Sequence, residues 1–193
     1  TGSNGKTTTR QMTAQVMAQK YRTLATIGNY NNQIGVPLTL LRLSGEYEQA
    51  VVELGTNSPG EIARLAQICA PDIGVVTNVG PAHLEGLGSL DGVMREKEQL
   101  IEHLKAGSKA VLNADDRRVY QMASRTERGV LLFGLSKNAG IRATAVNERT
   151  GGISFTLHLP DEHVTVTLSV PGQFMVLNAL AAAAVGYLLK LST

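Results

Sequence analysis

Thr1-Gly2-Ser3-Asn4-Gly5-Lys6-Thr7 opens the chain and runs straight into a helical pattern over Lys6–Lys20. Gly2 and Gly5 stand where backbone N–H groups must turn inward with no Cβ in the way. Lys6 can then reach the β- and γ-phosphates of a nucleotide, and the Thr7 hydroxyl can ligate Mg²⁺. Ser3, Asn4 and Thr8 complete the candidate nucleotide cradle, and the following helix adds the positive end of its dipole. A glycine-rich turn that only caps a helix is the alternative. The spacing is shorter than the common G-x-x-x-x-G-K-[ST], and no strand precedes the loop in this chain. A central slot of the sheet is therefore expected to lack its strand, and the chain is expected to be part of a larger enzyme.

Outward from the loop, short β-branched runs alternate with longer helical stretches. Strands are expected at Leu24–Ile27, Ala50–Leu54, Ile73–Thr77, Ala110–Leu112 and Val130–Phe133, with helices at Pro59–Cys69 and Gly92–Leu104. Such alternation predicts βα units on a parallel sheet. Ser58 as N-cap, Pro59 at the first helical position and Glu61 closing a capping box mark one helix start. Cys69 ends that helix's apolar stripe of Ile62, Leu65 and Ala66 and reads as core filler.

From Ile141 the texture changes. Ile141–Val146, Ile153–Leu159 and Val164–Val170 read as antiparallel strands, the last alternating apolar and hydroxylated residues. An Ala-rich helix from about Leu177 to Leu191 follows. The expected class is α/β: a P-loop-type, mostly parallel sheet flanked by helices, with a small antiparallel appendage near the C-terminus, in one domain over residues 1–193.

Three further residues draw interest. Glu53 ends a strand, where open α/β sheets bind ligands, and can hold a hard cation; a solvated acid is the alternative. His83 ends the loop Thr77-Asn78-Val79-Gly80-Pro81-Ala82-His83, along the same sheet edge as Glu53. Lys97 falls inside the apolar stripe of Val93, Leu100, Ile101 and Leu104, while Arg95, Glu96, Glu98 and Glu102 lie off it. Burial lowers a lysine pKa, and the neutral amine is the form that reacts with CO₂ to give a carbamate. A lysine that snorkels along the stripe to water is the competing reading.

Composition narrows the partners. Eighteen basic against sixteen acidic residues leave +2, with no Lys/Arg cluster interleaved with aromatics, so no nucleic-acid partner is expected. The longest apolar stretch, Ala179–Leu189, falls short of the ~20 residues a membrane helix needs, so no membrane insertion is expected. One cysteine forms no internal disulfide, which fits a reducing cytoplasm.

These residues resemble the Mur ligases of peptidoglycan synthesis over nearly the whole chain. Gly28-Asn29-Tyr30-Asn31-Asn32-Gln33-Ile34-Gly35-Val36-Pro37-Leu38-Thr39-Leu40-Leu41 is the most specific stretch, supported by Glu53-Leu54-Gly55-Thr56-Asn57 and Ala82-His83-Leu84-Glu85-Gly86-Leu87-Gly88-Ser89-Leu90. It looks like the member that joins D-alanyl-D-alanine to a UDP-N-acetylmuramoyl-tripeptide. The resemblance implies the family's central ATP-binding domain, without its UDP-sugar and ligase domains. It implies ATP and Mg²⁺ as cofactors, an acyl-phosphate intermediate, and a cytoplasmic, monomeric enzyme serving cell-wall synthesis and hence cell shape and division. By the same resemblance Lys6, His83 and Lys97 are catalytic, and Asn178 contacts the nucleotide base. Thr7, Glu53, His83 and, if carbamylated, Lys97 hold metal. Asn29, Asn31, Asn32, Thr56 and Asn57 face the substrate. Where the family usually has His-Asn ahead of that asparagine, this chain has Phe174-Met175. A sister ligase adding a diamino acid, one adding glutamates to folate, a P-loop kinase or NTPase, and a nucleotide-binding scaffold without turnover are the rivals.

Overall fold

A computed structural model describes residues 1–191. Its elements are α1 (Lys6–Ala18), β1 (Thr23–Ala25), α2 (Gly35–Leu40), β2 (Gln49–Val51), α3 (Glu61–Cys69), β3 (Ile73–Val76), α4 (Leu84–Leu87) and α5 (Leu90–Glu102). They continue as β4 (Lys109–Asn113), α6 (Arg117–Ala123), β5 (Gly129–Gly134), β6 (Ile141–Arg149), β7 (Gly152–His158), β8 (His163–Leu168) and α7 (Gln173–Leu188). The class is the expected one, α/β with a mostly parallel sheet between helices. Helices α2, α4 and α6 went unread in the sequence because they are short and weakly patterned.

Strand β4 shows how the layers form. Ala110 and Leu112 face one core, with Ile62, Leu65, Val93, Leu100, Ile101 and Met122 from α3, α5 and α6. Val111, between them, faces the other, with Met17 of α1, Val176 and Leu180 of α7, and Phe133, Ile141, Ile153 and Phe155 of the later strands. Successive side chains of a strand point to opposite faces, so a strand apolar on both is covered by helices on both. Cys69 is half-buried against the first core, where burial pushes its thiol up to about 11.

The antiparallel strands are continuous with the parallel ones. Phe133 and Gly134 of β5 pair in parallel with Ile141 and Arg142 of β6, whose other edge pairs antiparallel with β7. The register shifts between Thr144 and Asn147, and Ala145 there takes φ 51°; a bulge of this kind bends the strand and increases its twist.

Strands β1 and β2 pair in parallel with each other and form a separate two-stranded piece. A cavity of about 580 Å³ lies between this piece and β3, lined by residues of β2, β3 and α1 that include Val51, Ile73, Val75, Thr13 and Met17. With a partner on one edge only, β2 ends at Val51 rather than Leu54, and Glu53 stands just beyond it.

The start of α3 differs from the capping box expected at Ser58. Gly60, in the left-handed region at φ 85°, precedes the first helical residue, Glu61, and donates no side-chain cap. Glu61 does reach back, accepting from the N–H groups of Asn57 and Ser58 at 2.6 and 3.1 Å. The remaining amides are closed from another helix: Glu96 of α5 accepts from Gly60 N at 2.7 Å and Ile62 N at 2.8 Å.

Candidate functional site

The opening loop is laced to the segment that follows β3. Ser3 N–H donates to Asn78 O at 3.0 Å, Asn4 N–H donates to Asn78 Oδ1 at 2.8 Å, and the Thr77 hydroxyl donates to Asn4 O at 2.7 Å. Ser3 Oγ bridges the Gly80 N–H and carbonyl at 2.8 and 2.9 Å. Both glycines are forced by close approach. A Cβ on Gly2 would run into the Thr77 hydroxyl, and one on Gly5 into Asn178 Oδ1. Gly5 also has φ 78°, a conformation costly for any L side chain. It leads into α1, whose first-turn amides have no intrahelical acceptor and present an anion site. Lys6 Nζ folds over the loop, donating to Gly2 O at 2.9 Å and lying 3.3 Å from Ser3 O. Thr8 is half-buried in that first turn.

Glu53 is the hub of the site and is buried. Its backbone N–H donates to Thr26 Oγ1 at 3.0 Å. The carboxylate accepts from the Thr7 hydroxyl at 3.0 Å on Oε2 and from Asn31 Nδ2 at 2.8 Å on Oε1. Arg10 Nε stands 3.8 Å from Oε2. Thr7 and Glu53, a hydroxyl and a carboxylate read from distant parts of the chain, therefore meet at the mouth of the phosphate loop.

Lys97 points inward as its helical position implies and is 2% exposed. Burial first, and then the charge of Lys6, lower its pKa to about 8, against the raising effect of Glu96. Burial lowers Lys6 as well, with Glu53 opposing. Lys97, Lys6 and Glu53 thus share one electrostatic neighbourhood, Lys6 acting on Lys97 and Glu53 on Lys6. Glu96 and Glu98, expected off the apolar stripe, are buried too. For Glu96 the reason is its capping of α3; Glu98 lies 3.4 Å from Arg125.

His83 takes φ 54° at the start of α4 and is exposed. Its charge acts on Glu61, whose carboxyl is held below the usual carboxylate range by the Asn57 N–H first, then by the Ser58 N–H, the Thr56 hydroxyl and His83, with burial opposing. The structure thus associates His83 with Glu61 and draws Glu53 to Thr7, Asn31 and Arg10.

The expected substrate residues divide in two. Asn29 and Asn57 are exposed. Asn31 is held by Glu53 and by the Gly55 N–H, which donates to its carbonyl at 2.7 Å. Asn32 Oδ1 accepts from Gly35 N at 2.9 Å and Ile34 N at 3.1 Å and so starts α2. Thr56 is buried, its hydroxyl within reach of Ser58 O, Glu61 Oε2 and Glu96 Oε1 at 2.9, 3.2 and 3.3 Å. Asn178 is buried beneath the loop, accepting from the Thr9 hydroxyl at 3.2 Å. It lines a cleft of about 110 Å³ with Asn4, Gly5, Asn78, Leu177 and Phe174, and the Phe174 ring is 66% exposed.

The residues fit a magnesium nucleotide. Among the described residues no group of three or more His, Cys, Asp or Glu side chains gathers as a metal cage. Mg²⁺ is usually held by one or two protein oxygens with phosphates and water supplying the rest, and Thr7 with Glu53 offers that donor set. Two site residues escaped the sequence reading, Arg10 and Glu96. Arg10 had a signal: it lies three and seven residues before Thr13 and Met17, on the buried face of α1. Glu96 had a weaker one, three residues after Val93 and four before Leu100 at the edge of the buried stripe, although its partners lie on another helix.

Residues 1–186 match the model of the Mur ligase middle domain. The chain is 44% identical over 186 residues to the UDP-N-acetylmuramoyl-tripeptide–D-alanyl-D-alanine ligase of Escherichia coli (strain K12), covering 95% of this chain and 41% of that protein. Among solved structures it resembles a MurF crystal structure from Acinetobacter baumannii, with TM-score 0.94, 33% identity, and 99% and 42% of the two chains covered. It also resembles the MurF ligase of Thermotoga maritima in complex with ADP, with TM-score 0.90, 32% identity, and 100% and 45% covered. The chain spans about two-fifths of the length of the curated ligase it is matched to here.

Proposed function

The chain belongs to the Mur ligase family, whose middle domain it matches, and we propose that it is the ATP-binding centre of an enzyme joining D-alanyl-D-alanine to a UDP-N-acetylmuramoyl-tripeptide. The observation that supports this most is the meeting of Thr7 and Glu53 at 3.0 Å, beside the Lys6 loop and the buried Lys97. Residues 1–193 are read as one central domain working beside a UDP-sugar domain and a ligase domain.

The loop amides and Lys6 bind the β- and γ-phosphates of ATP and orient the γ-phosphorus toward the tripeptide carboxylate. Mg²⁺, when bound, neutralises phosphate charge, with Thr7 and Glu53 as its protein ligands; His83 and a Lys97 carbamate serve a second cation. The tripeptide carboxylate takes the γ-phosphoryl group and ADP leaves. The amine of D-alanyl-D-alanine then attacks the acyl phosphate, and the tetrahedral intermediate collapses to amide and inorganic phosphate. Phosphoryl transfer depends chiefly on positioning and charge neutralisation, which suits a site of cations, oxygen ligands and backbone donors. Asn29 and Asn57 face the muramoyl-peptide, and the small cleft beside Asn178 takes the base. No helix of the described residues is long and apolar enough to cross a membrane; we take the enzyme to be a cytoplasmic monomer.

Phosphate release by the ligase that contains this chain tests the reading. The expected result is release that needs ATP, Mg²⁺, the UDP-muramoyl-tripeptide and D-alanyl-D-alanine together. Release stimulated by a diamino acid or glutamate, and not by D-alanyl-D-alanine, would assign a sister ligase instead. Lys97→Ala with unchanged activity would favour a plain NTPase.

A further inference from the structure

Arg10 is a charged residue turned into the protein, 7% exposed on the inner face of α1. Its Nη1 donates to Thr26 O, and it lies 3.2 Å from Gly28 O, the two carbonyls from which the Gly28–Asn32 loop departs. Its Nε is a buried donor with no hydrogen-bond partner, standing 3.8 Å from Glu53 Oε2. The other two groups on that carboxylate come from the ligand side, for Thr7 is exposed and Asn31 half-buried. Arg10 approaches from the interior. A guanidinium spreads its donors over three nitrogens in a rigid fork, so it can face a carboxylate with one and backbone carbonyls with another, whereas an ammonium offers its three donors from a single nitrogen.

We propose that Arg10 is a positioning residue for the cation site: it ties the Glu53 carboxylate to the Thr26–Gly28 backbone, so that the cation ligand and the loop beginning there are ordered as one unit. This rests on the reading of Glu53 as a Mg²⁺ ligand. Thr26 strengthens the tie from the other side, since its hydroxyl accepts the Glu53 N–H while its carbonyl accepts from Arg10.

The test compares the whole ligase that contains this chain with its Arg10→Met, Arg10→Lys and Glu53→Gln variants. Calorimetric titration of ADP over a range of Mg²⁺ gives the half-saturating Mg²⁺ concentration, and amide exchange of the ligand-free ligase reports on the Asn29–Asn32 loop. Substituting the partner of a metal ligand typically costs roughly 10–100-fold in metal affinity. Arg10→Met is therefore expected to raise the Mg²⁺ midpoint by about that factor, to leave Mg²⁺-free ADP binding unchanged, and to speed loop exchange. Arg10→Lys keeps the charge without the fork; it is expected to recover part of the midpoint and none of the loop protection. That variant also decides the matter if Arg10→Met fails to fold: wild-type behaviour in both measurements would overturn the proposal. A midpoint moved by Glu53→Gln and unmoved by Arg10→Met overturns the proposal alone. A midpoint unmoved by both overturns the cation reading of Glu53 and the proposal with it.

Discussion

The Glu96 carboxylate caps a helix other than its own, with Oε1 2.8 Å from the N–H of Ile62 and Oε2 2.7 Å from that of Gly60. One side chain of α5 thereby fixes the start of α3 and, through Thr56, the loop that leads from β2 into it. Glu96→Ala leaves two amides without their acceptor, one of them buried, at a cost of roughly 3 kcal/mol, since each unsatisfied group costs about 1–3. Glu96→Gln keeps the shape and one acceptor oxygen and should cost less, about 1 kcal/mol. Urea denaturation measures both, and equal stability of Glu96→Ala and wild type would sink the capping role.

Gly5 and Asn178 should prove energetically coupled. Gly5→Ala puts a Cβ into Asn178 Oδ1 and holds an L residue at φ 78°. Removing the overlapped amide with Asn178→Ala relieves the overlap but not the backbone strain, which costs about 1–2 kcal/mol. A double-mutant cycle should therefore give a favourable interaction energy of about 1 kcal/mol, within the range for residues in contact. Strict additivity of the two stabilities would mean that Asn178 does not press on the loop.

What could be read in advance follows the range of the interactions. The phosphate loop is a local device: its glycines, lysine and threonine are neighbours in sequence, and the helix after them confirms the turn. The inward aim of Lys97 is equally local, because a 3.6-residue period places it among Val93, Leu100 and Ile101. The same period sets Glu96 at the edge of that stripe, three residues after Val93 and four before Leu100, and the start of α3 completes its burial. The Ser58 cap failed for the mirror reason, with its role taken by that distant carboxylate. Asn31, Asn32 and Thr56 are set toward the substrate by the resemblance alone; in the structure Asn31 meets Glu53 and Thr56 meets Glu96 across long stretches of sequence, while Asn32 meets the first amides of α2 two and three residues on. Strand β6 reads as part of an appendage because the texture changes at Ile141; its two-residue parallel pairing with β5 leaves no pattern in the sequence.

Phe174 stands exposed at the cleft that Asn178 and Gly5 line, in the place where the family usually has histidine. An aromatic face beside a base contributes about 1–3 kcal/mol by stacking. Phe174→Ala should weaken ADP binding by about tenfold, at the low end of that range, and leave tripolyphosphate binding unchanged. Equal losses for both ligands in a fluorescence competition assay would show that the ring acts on the loop and not on the base.

Lys97 makes stability depend on pH in a direction its charge alone would not suggest. Its folded pKa is about 8 against an ordinary value of 10.5. Between those values the unfolded chain binds the extra proton, so stability rises with pH across that window and is flat on either side of it. The rise amounts to about 3 kcal/mol, at 1.36 kcal/mol per pKa unit. In CO₂-free buffer Lys97→Met should therefore be more stable than wild type at pH 7 and should lose the increment between pH 8 and 10.5. The same lowered pKa leaves about half the amine neutral near pH 8, the form that adds to CO₂ and releases a proton to become a carbamate. With ¹³C-bicarbonate the wild-type chain should give a carbamate carbon signal that Lys97→Met lacks. A denaturation profile with the same pH slope in both proteins would place the lysine head group in water instead of in the core.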